Sequence, residues 1–499
     1  MARIGQGKSG GCRTCRRRKV KCDERRPGCE RCETANRECE GYAREHRFVD
    51  ENARTERHAK KKSQSPTTTP QSKPELQQDL IICSTRSSSS IQLSSLGLQA
   101  FEDNIFISFL ISNLFQGIPV TTPWPHLQSE DHSSGSVQIC FRALGTLFFG
   151  RAHHQQHITA RGYALYGQAL ISLNRDLQDT EKGLSLSVVK SAMALEFYEF
   201  IAFSSTTGWL KHAGGLGRLI ELRGPWRHQA PRERSLLEAN RVAIALASLA
   251  RRKRCFLERP EWKTVPWAVE PEFKTRAQFL HDILCDMPGL MEDAAMLQSS
   301  RLSGEEFTVH RVLLSENITS TLKTLYEWRV SWQHRCPNSC WEILSNEVCA
   351  STAEPTLLFP VVFDFASLTH ANEITLYNAI LLLLLRLSFQ VISPNFDPSL
   401  PAFHLPQDLD YGPLFPPGLA PNAQAVAIEI CKSVEYHLAK ERRRAGAFFL
   451  LFPLRVAWQA FDPADKEALW LQGVMSMIAD STGFEVSRGL TSEQVVQSD

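Results

Sequence analysis

Six cysteines between positions 12 and 39 constrain this chain more than any other feature. They stand as Cys12-x2-Cys15-x6-Cys22 and, after six further residues, Cys29-x2-Cys32-x6-Cys39. One unit, C-x2-C-x6-C, is written twice. Two cysteines three positions apart can grip one tetrahedral zinc from a turn, and the third returns after a helix. Three thiolates leave a four-coordinate zinc one ligand short. Two such halves complete each other by sharing: six thiolates serve eight coordination positions when two of them bridge. A 28-residue segment with so few large apolar side chains cannot fold on its own core. Metal binding supplies that stability instead, on the order of 10–16 kcal/mol per structural zinc site. Cys12, Cys15, Cys22, Cys29, Cys32 and Cys39 are therefore the expected ligands of two zinc ions.

The two halves differ in charge. Between Cys12 and Cys22 lie Arg13, Arg16, Arg17, Arg18, Lys19 and Lys21 with no acid, a net of +6. Between Cys29 and Cys39, Arg31 and Arg37 stand against Glu30, Glu33 and Glu38, a net of −1. Both halves suit the metal, but only the first suits a polyanion. The whole chain carries +2, and this total hides an asymmetry: residues 1–62 hold 19 Lys+Arg against 10 Asp+Glu, and the rest hold 37 against 44. A basic head on a mildly acidic body is the split expected where one end meets phosphates. The other eight of the 14 cysteines show no repeated spacing, and the N-terminus has no apolar secretory core. Both point to a reducing compartment, where clustered cysteines are metal ligands rather than disulfides.

The cysteine segment resembles the fungal binuclear zinc cluster family of transcription factors, whose DNA-binding domain has this spacing. The resemblance implies two zinc ions per chain, with Cys12 and Cys29 bridging them. It implies double-stranded DNA as partner, the transcription machinery as a second, and a nuclear location. Lys19, within Arg16-Arg17-Arg18-Lys19-Val20-Lys21-Cys22, sits where the family reads a CGG-type triplet, and Arg18 is its neighbour. Arg16, Arg17, Arg18, Lys19 and Lys21 are the expected DNA-contacting set. Pro27 matches the family's loop proline. Regulation of RNA polymerase II genes, in a metabolic or secondary-metabolite set, is also implied. Many family members follow the cluster with a dimerising coiled coil. Here residues 40–62 offer only Tyr42, Phe48 and Val49 as large apolar residues and no heptad. Either the body makes a homodimer or the protein reads a single half-site.

The expected organisation is a small two-zinc, six-cysteine module over 12–42, a disordered linker over 43–95, a large all-α domain over 96–485 and a flexible tail over 486–499. The linker is basic to Lys62 and then rich in Ser, Thr, Gln and Pro, too polar to bury a core. Helical periodicity predicts helices near 97–116, 136–150, 163–173, 185–203, 207–223, 234–257, 318–332, 371–391, 421–441 and 464–480. Gly224-Pro225 should close one helix and Pro260 should follow another, while the Pro-rich stretch 394–421 should be a loop. No alternating strand pattern is evident. The apolar run 379–387, interrupted by Arg386, is too short to span a bilayer and is expected to be a core helix. Residues 143–150 (ALGTLFFG), 163–170 (YALYGQAL), 208–215 (GWLKHAGG) and 219–225 (LIELRGP) resemble the fungal-specific regulatory domain found behind such clusters.

Weaker features favour plainer readings. His153, His154 and His157 lack a neighbouring acid or cysteine, and Cys336, Cys340 and Cys349 lack a matching second pair. Gly214-Gly215-Leu216-Gly217 has neither Rossmann nor Walker spacing. The runs 251–254 and 442–444 are expected at helix ends or solvated faces, and Lys60-Lys61-Lys62 as linker charge or an import signal. No Asp-Asp pair, G-x-S-x-G or H-E-x-x-H marks an enzyme. The alternative reading is an all-α enzyme or ligand-sensing scaffold with an appended zinc module.

Overall fold

The computed structural model describes residues 11–25, 27–39, 99–114, 135–299, 303–346, 357–400 and 403–490. The expected linker, Cys349 and Lys60-Lys61-Lys62 lie outside them. Contacts divide the chain into two units, Met1–Ser89 and Ser90–Asp499.

The first unit holds two one-turn helices, α1 (Arg13–Arg17) and α2 (Glu30–Thr34). Each starts just behind the first cysteine of its half and carries the second. The helix expected ahead of Cys22 is therefore short and early. It ends at Arg17, Arg18 and Lys19 form the turn after it, and Lys21 lies outside any helix. The reason lies in the metal-ligand spacing: Cys22 must fold back on Cys12, which a continued helix would prevent.

The second unit is mostly helical. Its first layer runs α3 (Gln99–Leu114), α4 (Gly135–Ala152), α5 (Gln156–Gln178), α6 (Leu186–Ala202) and α7 (Gly208–Arg223). Then come α8 (Pro231–Arg251), the short α9 (Pro260–Thr264), α10 (Arg276–Gln298) and α11 (Gly304–Arg335). Successive helices pack as neighbours: α4 on α5 and α6, α7 on α8, α8 on α10, and α10 on α11. Two glycines set the closest of these contacts. A Cβ on Gly162 would stand 3.0 Å from the Leu147 backbone, and one on Gly150 would stand 2.7 Å from the Thr159 amide. Helices α4 and α5 thus meet backbone to backbone.

The remainder holds strands β1 (Cys340–Leu344) and β2 (Val361–Phe365), then α12 (Leu368–Val391), α13 (Ala423–Lys432), α14 (Val434–Leu438), α15 (Arg443–Trp458), α16 (Lys466–Thr482) and α17 (Val486–Gly489). Helix α12 contains the apolar run. It is long and apolar enough to cross a membrane, yet 83% of its most apolar window is buried inside the protein. It packs against α10, α11, α13 and α15, so it is the central core helix of this half. Within the apolar run 379–387, Arg386 is the exposed exception.

Several expectations change. The body is not wholly α, because β1 and β2 pair antiparallel with Cys340 opposite Phe365 and Leu344 opposite Val361. The predicted 234–257 helix ends at Arg251, a 3-10 helix covers Phe256–Glu258, and Pro260, which follows that turn, opens α9. The predicted 421–441 helix breaks at Ser433 into α13 and α14. Helices α10 and α15 were not expected, since each carries an internal proline, Pro288 or Pro453. Gly224 does close α7, at φ +74°, and among the described residues no helix lies between Val391 and Ala423. The triglycine region falls inside α7. In the run at 251–254, Lys253 pairs with Glu292 at 3.0 Å and Arg254 with Asp293 at 2.6 Å, at the end of α8.

Candidate metal centre and nucleic-acid interface

The two halves of the cysteine segment superpose in their bonding at an offset of 17 residues. The amide of Cys12 donates to Cys22 Sγ at 3.4 Å, and that of Cys29 donates to Cys39 Sγ at 3.5 Å. The Val20 amide donates to the Cys15 carbonyl at 3.1 Å, and that of Arg37 to the Cys32 carbonyl at 2.9 Å. These bonds, reaching back five residues, close each helix with a residue in the left-handed region. That residue is Lys19 at φ 57° in the first half and Asn36 at φ 52° in the second. Asparagine is a common occupant of this region and lysine is not.

The repeat brings the sulfurs together. Cys12 Sγ lies 3.6 Å from Cys29 Sγ and 3.8 Å from Cys32 Sγ. Cys15 Sγ lies 3.6 Å from Cys29 Sγ and 3.8 Å from Cys32 Sγ. A tetrahedron with Zn–S bonds of about 2.3 Å has sulfur–sulfur edges of about 3.8 Å, so this donor set fits zinc. These four cysteines are fully buried, and Cys22 and Cys39 are half-buried at the margin. Burial pushes the Cys12 thiol up to about 12 and that of Cys29 further still, so the metal-free thiols are neutral at pH 7. Bound zinc reverses that preference by taking thiolates as ligands. Among the described residues, the groups that can hold a metal are in this segment. The histidines at 153, 154 and 157 form no such group, and the His153 ring instead packs on Phe149 with centroids 4.3 Å apart.

Other side chains hold the halves together. Thr14 Oγ1 donates to the Glu38 carbonyl at 3.2 Å. Asp23 accepts the amides of Glu30 at 3.1 Å and Arg31 at 3.3 Å, which caps the start of α2. Asp23 also lies near the sulfurs of Cys22 and Cys29, but both its oxygens are engaged by these amides. Sequence spacing did not reveal this cap, because the residue next to α2 is Cys29, which makes no side-chain cap. Arg25 pairs with Glu33, so the acidic half answers a cation within the module.

The expected DNA-contacting residues lie in the first half of the repeat. Arg17, Arg18, Lys19 and Lys21 are exposed, and Arg16 lies on α1 with its side chain outside the described set. Among the described residues, no ion pair engages Arg18, Lys19 or Lys21. Their placement after the C-terminus of α1 is the favourable one for cations near a helix end.

Residues 10–47 match the model of the fungal Zn(2)-Cys(6) binuclear cluster domain. The chain is 30% identical over 171 residues to an uncharacterized protein of Emericella nidulans, covering 34% of this chain and 36% of that one. That stretch is far longer than the cluster and takes in residues outside it. The transcriptional regulatory protein moc3 of Schizosaccharomyces pombe is 66% identical over 32 residues, 6% of each chain. The aspercryptin biosynthesis cluster-specific transcription regulator atnN of Emericella nidulans is 60% identical over 38 residues, 7% of this chain and 6% of that one. The chain thus spans about a third of the first relative's length and a small fraction of the two regulators. No solved structure matches it. Spacing, paired bonding and sulfur geometry agree with the match: residues 10–47 are a fungal Zn(2)-Cys(6) binuclear cluster domain, a module that takes two zinc ions.

Proposed function

We propose that this chain is a nuclear transcription regulator that binds double-stranded DNA in a sequence-specific way through the first half of its zinc cluster. In this reading Cys12, Cys15, Cys22, Cys29, Cys32 and Cys39 are the six ligands, and Cys12 and Cys29 are the bridges. The 3.6 Å contact between Cys12 and Cys29 fits a shared edge of two tetrahedra. Arg16, Arg17, Arg18 and Lys21 meet phosphates and set the register, while Lys19, with Arg18 beside it, reads guanines of a CGG triplet. The observation that carries the reading is Lys19 itself. It holds the left-handed position that Asn36 fills in the acidic half, so a long cation stands where backbone preference favours a short side chain. Strain of this kind at an exposed cation is characteristic of a contact residue. Two of the relatives, both transcription regulators by name, support the same reading.

The helical body is the regulatory part in this account, acting on the transcription machinery at a metabolic gene set. It also supplies the homodimer contact. The start of α11 supports that role: Phe307, Val309, Val312 and Leu313 are exposed among the described residues, at 39% to 53%. An apolar patch of this kind marks an association surface. The test of the function is selection of bound duplexes from a random pool by the zinc-loaded full chain. CGG triplets should be enriched, and a pool that stays random would overturn the proposal.

A further inference from the structure

Helices α6, α8, α10, α12 and α15 border a cavity of ≈ 1390 Å³. Ligand sites in proteins commonly measure about 300–1,000 Å³, so the space exceeds a packing defect. It is elongated. One face of α12 lines it at Thr369, Asn372, Glu373, Leu376, Leu383 and Arg386, and a helix rises about 26 Å over that span. Much of the wall is apolar: Phe197 and Phe200 from α6, Val242 and Leu246 from α8, Phe448 and Phe452 from α15.

The ionisable groups on this wall do not balance. Three acids each have a cation of their own: Glu238 meets Arg241 at 3.0 Å, Glu270 meets Arg234 at 2.8 Å, and Glu373 meets Arg276 at 3.4 Å. Glu196, the fourth acid, has no hydrogen-bond partner on either carboxyl oxygen. Burial pushes its carboxyl up to about 8, so it is largely protonated at pH 7 and adds little charge. Lys274 pairs with Asp282. Four arginines are left over. Arg252, Arg335, Arg386 and Arg455 line the cavity and, among the described residues, pair with no carboxylate.

Two of the four act on each other across the packed pair α12 and α15. Arg386 is exposed, and Arg455 is half-buried. Arg455 Nη1 donates to the Leu490 carbonyl. Its Nε and Nη2 make no hydrogen bond among the described residues, and neither belongs to the buried polar atoms that lack one. Both therefore keep accessible surface. Burial and the charge of Arg386 hold the Arg455 guanidinium below its ordinary value. Two like charges in reach of each other, with no acid between them, favour an anion beside them. A carboxylate is the matching group, since its two oxygens fit the fork of a guanidinium.

We infer that this cavity binds an elongated, largely apolar organic acid, with its ionised head on Arg386 and Arg455 and its body along the apolar wall. The inference is independent of DNA binding. Three matched probes test it on the full chain at pH 7 by pyrene fluorescence: pyrenebutyrate, pyrenebutanol and pyrenebutylamine. The acid should bind at least tenfold more tightly than the alcohol, about 1.4 kcal/mol, and the protonated amine least. Butyrate, the head without the body, should not displace pyrenebutyrate at equal concentration. Arg386→Gln changes an exposed side chain and should reduce the acid's advantage several-fold. Arg386→Gln combined with Arg455→Gln should abolish that advantage and keep alcohol binding, which also reports an intact cavity. The proposal is overturned if the alcohol or the amine binds as tightly as the acid, if butyrate displaces the probe, or if the acid's advantage survives the double variant. It is also overturned if no probe binds below about 100 μM. Should circular dichroism show the double variant unfolded, Arg386→Gln decides alone, and an undiminished advantage in it overturns the proposal.

Discussion

Lys19, the proposed base reader, holds a backbone conformation that lysine rarely adopts. Its backbone lies in the left-handed region at φ 57°, as does Asn36 at φ 52° in the matching turn. Lys19→Asn should therefore keep the turn and the zinc cluster, since asparagine tolerates this region. Zinc retention against a chelator should match wild type, while discrimination for CGG duplexes should fall by about 1–3 kcal/mol. A loss of zinc in this variant would make the residue structural. A second residue sets a pH dependence in the body. His437 is fully buried, with Nδ1 on the Ser433 carbonyl at 2.9 Å and Nε2 without a partner. Burial lowers its pKa to about 4 from 6.5. The unfolded chain then binds the proton first as pH falls, so stability present above about pH 6.5 is lost progressively toward pH 4. The loss is up to about 3 kcal/mol. Urea unfolding across this range should show it, and His437→Gln should flatten the slope.

At the scale of elements, α1 and α2 share one metal-binding plan and differ in charge. The plan was legible in the sequence because cysteine spacing is a ligand constraint that no other chemistry imitates. The exact extent of the basic helix was not, because the return of Cys22 to Cys12 sets it. If Lys21 meets a phosphate, Lys21→Ala should weaken binding to all sequences alike and lower the log–log salt slope by about 0.9. Titrations at several salt concentrations would measure this; a change confined to CGG sites would assign Lys21 to base reading instead. In the body, periodicity revealed helices such as α5 and α7, although α5 buries Leu165, Ala169 and Leu173 and leaves Tyr163 and Leu170 exposed. It missed α10 and α15, each of which carries a proline, Pro288 or Pro453, inside a packed helix. It missed β1 and β2 because β1 shows no alternation, only Cys340 being buried, and sixteen residues of sequence separate the two strands. The cap from Asp23 was hidden because it reaches α2 from seven residues away.

At the scale of the whole molecule, composition disclosed a basic head and an apolar body, and the two units of the structure follow that division. What the body does was not legible, since a cavity and an orphan carboxyl arise from how distant helices pack. Residues 40–62 carry no heptad, so the proposed dimer surface is assigned to the body. Sedimentation equilibrium of the full chain should give a dimer, and Val312→Glu with Leu313→Glu on α11 should give a monomer that keeps its helical content. A wild-type monomer at micromolar concentration would instead point to reading of a single half-site. The central claim is that the first half of the cluster reads DNA sequence through Lys19. Fluorescence anisotropy of the zinc-loaded full chain at about 150 mM salt, near physiological ionic strength, tests it most directly. On CGG and scrambled duplexes, wild type should favour CGG, and Lys19→Asn should bind both alike. Equal preference for CGG in the two proteins would contradict the account.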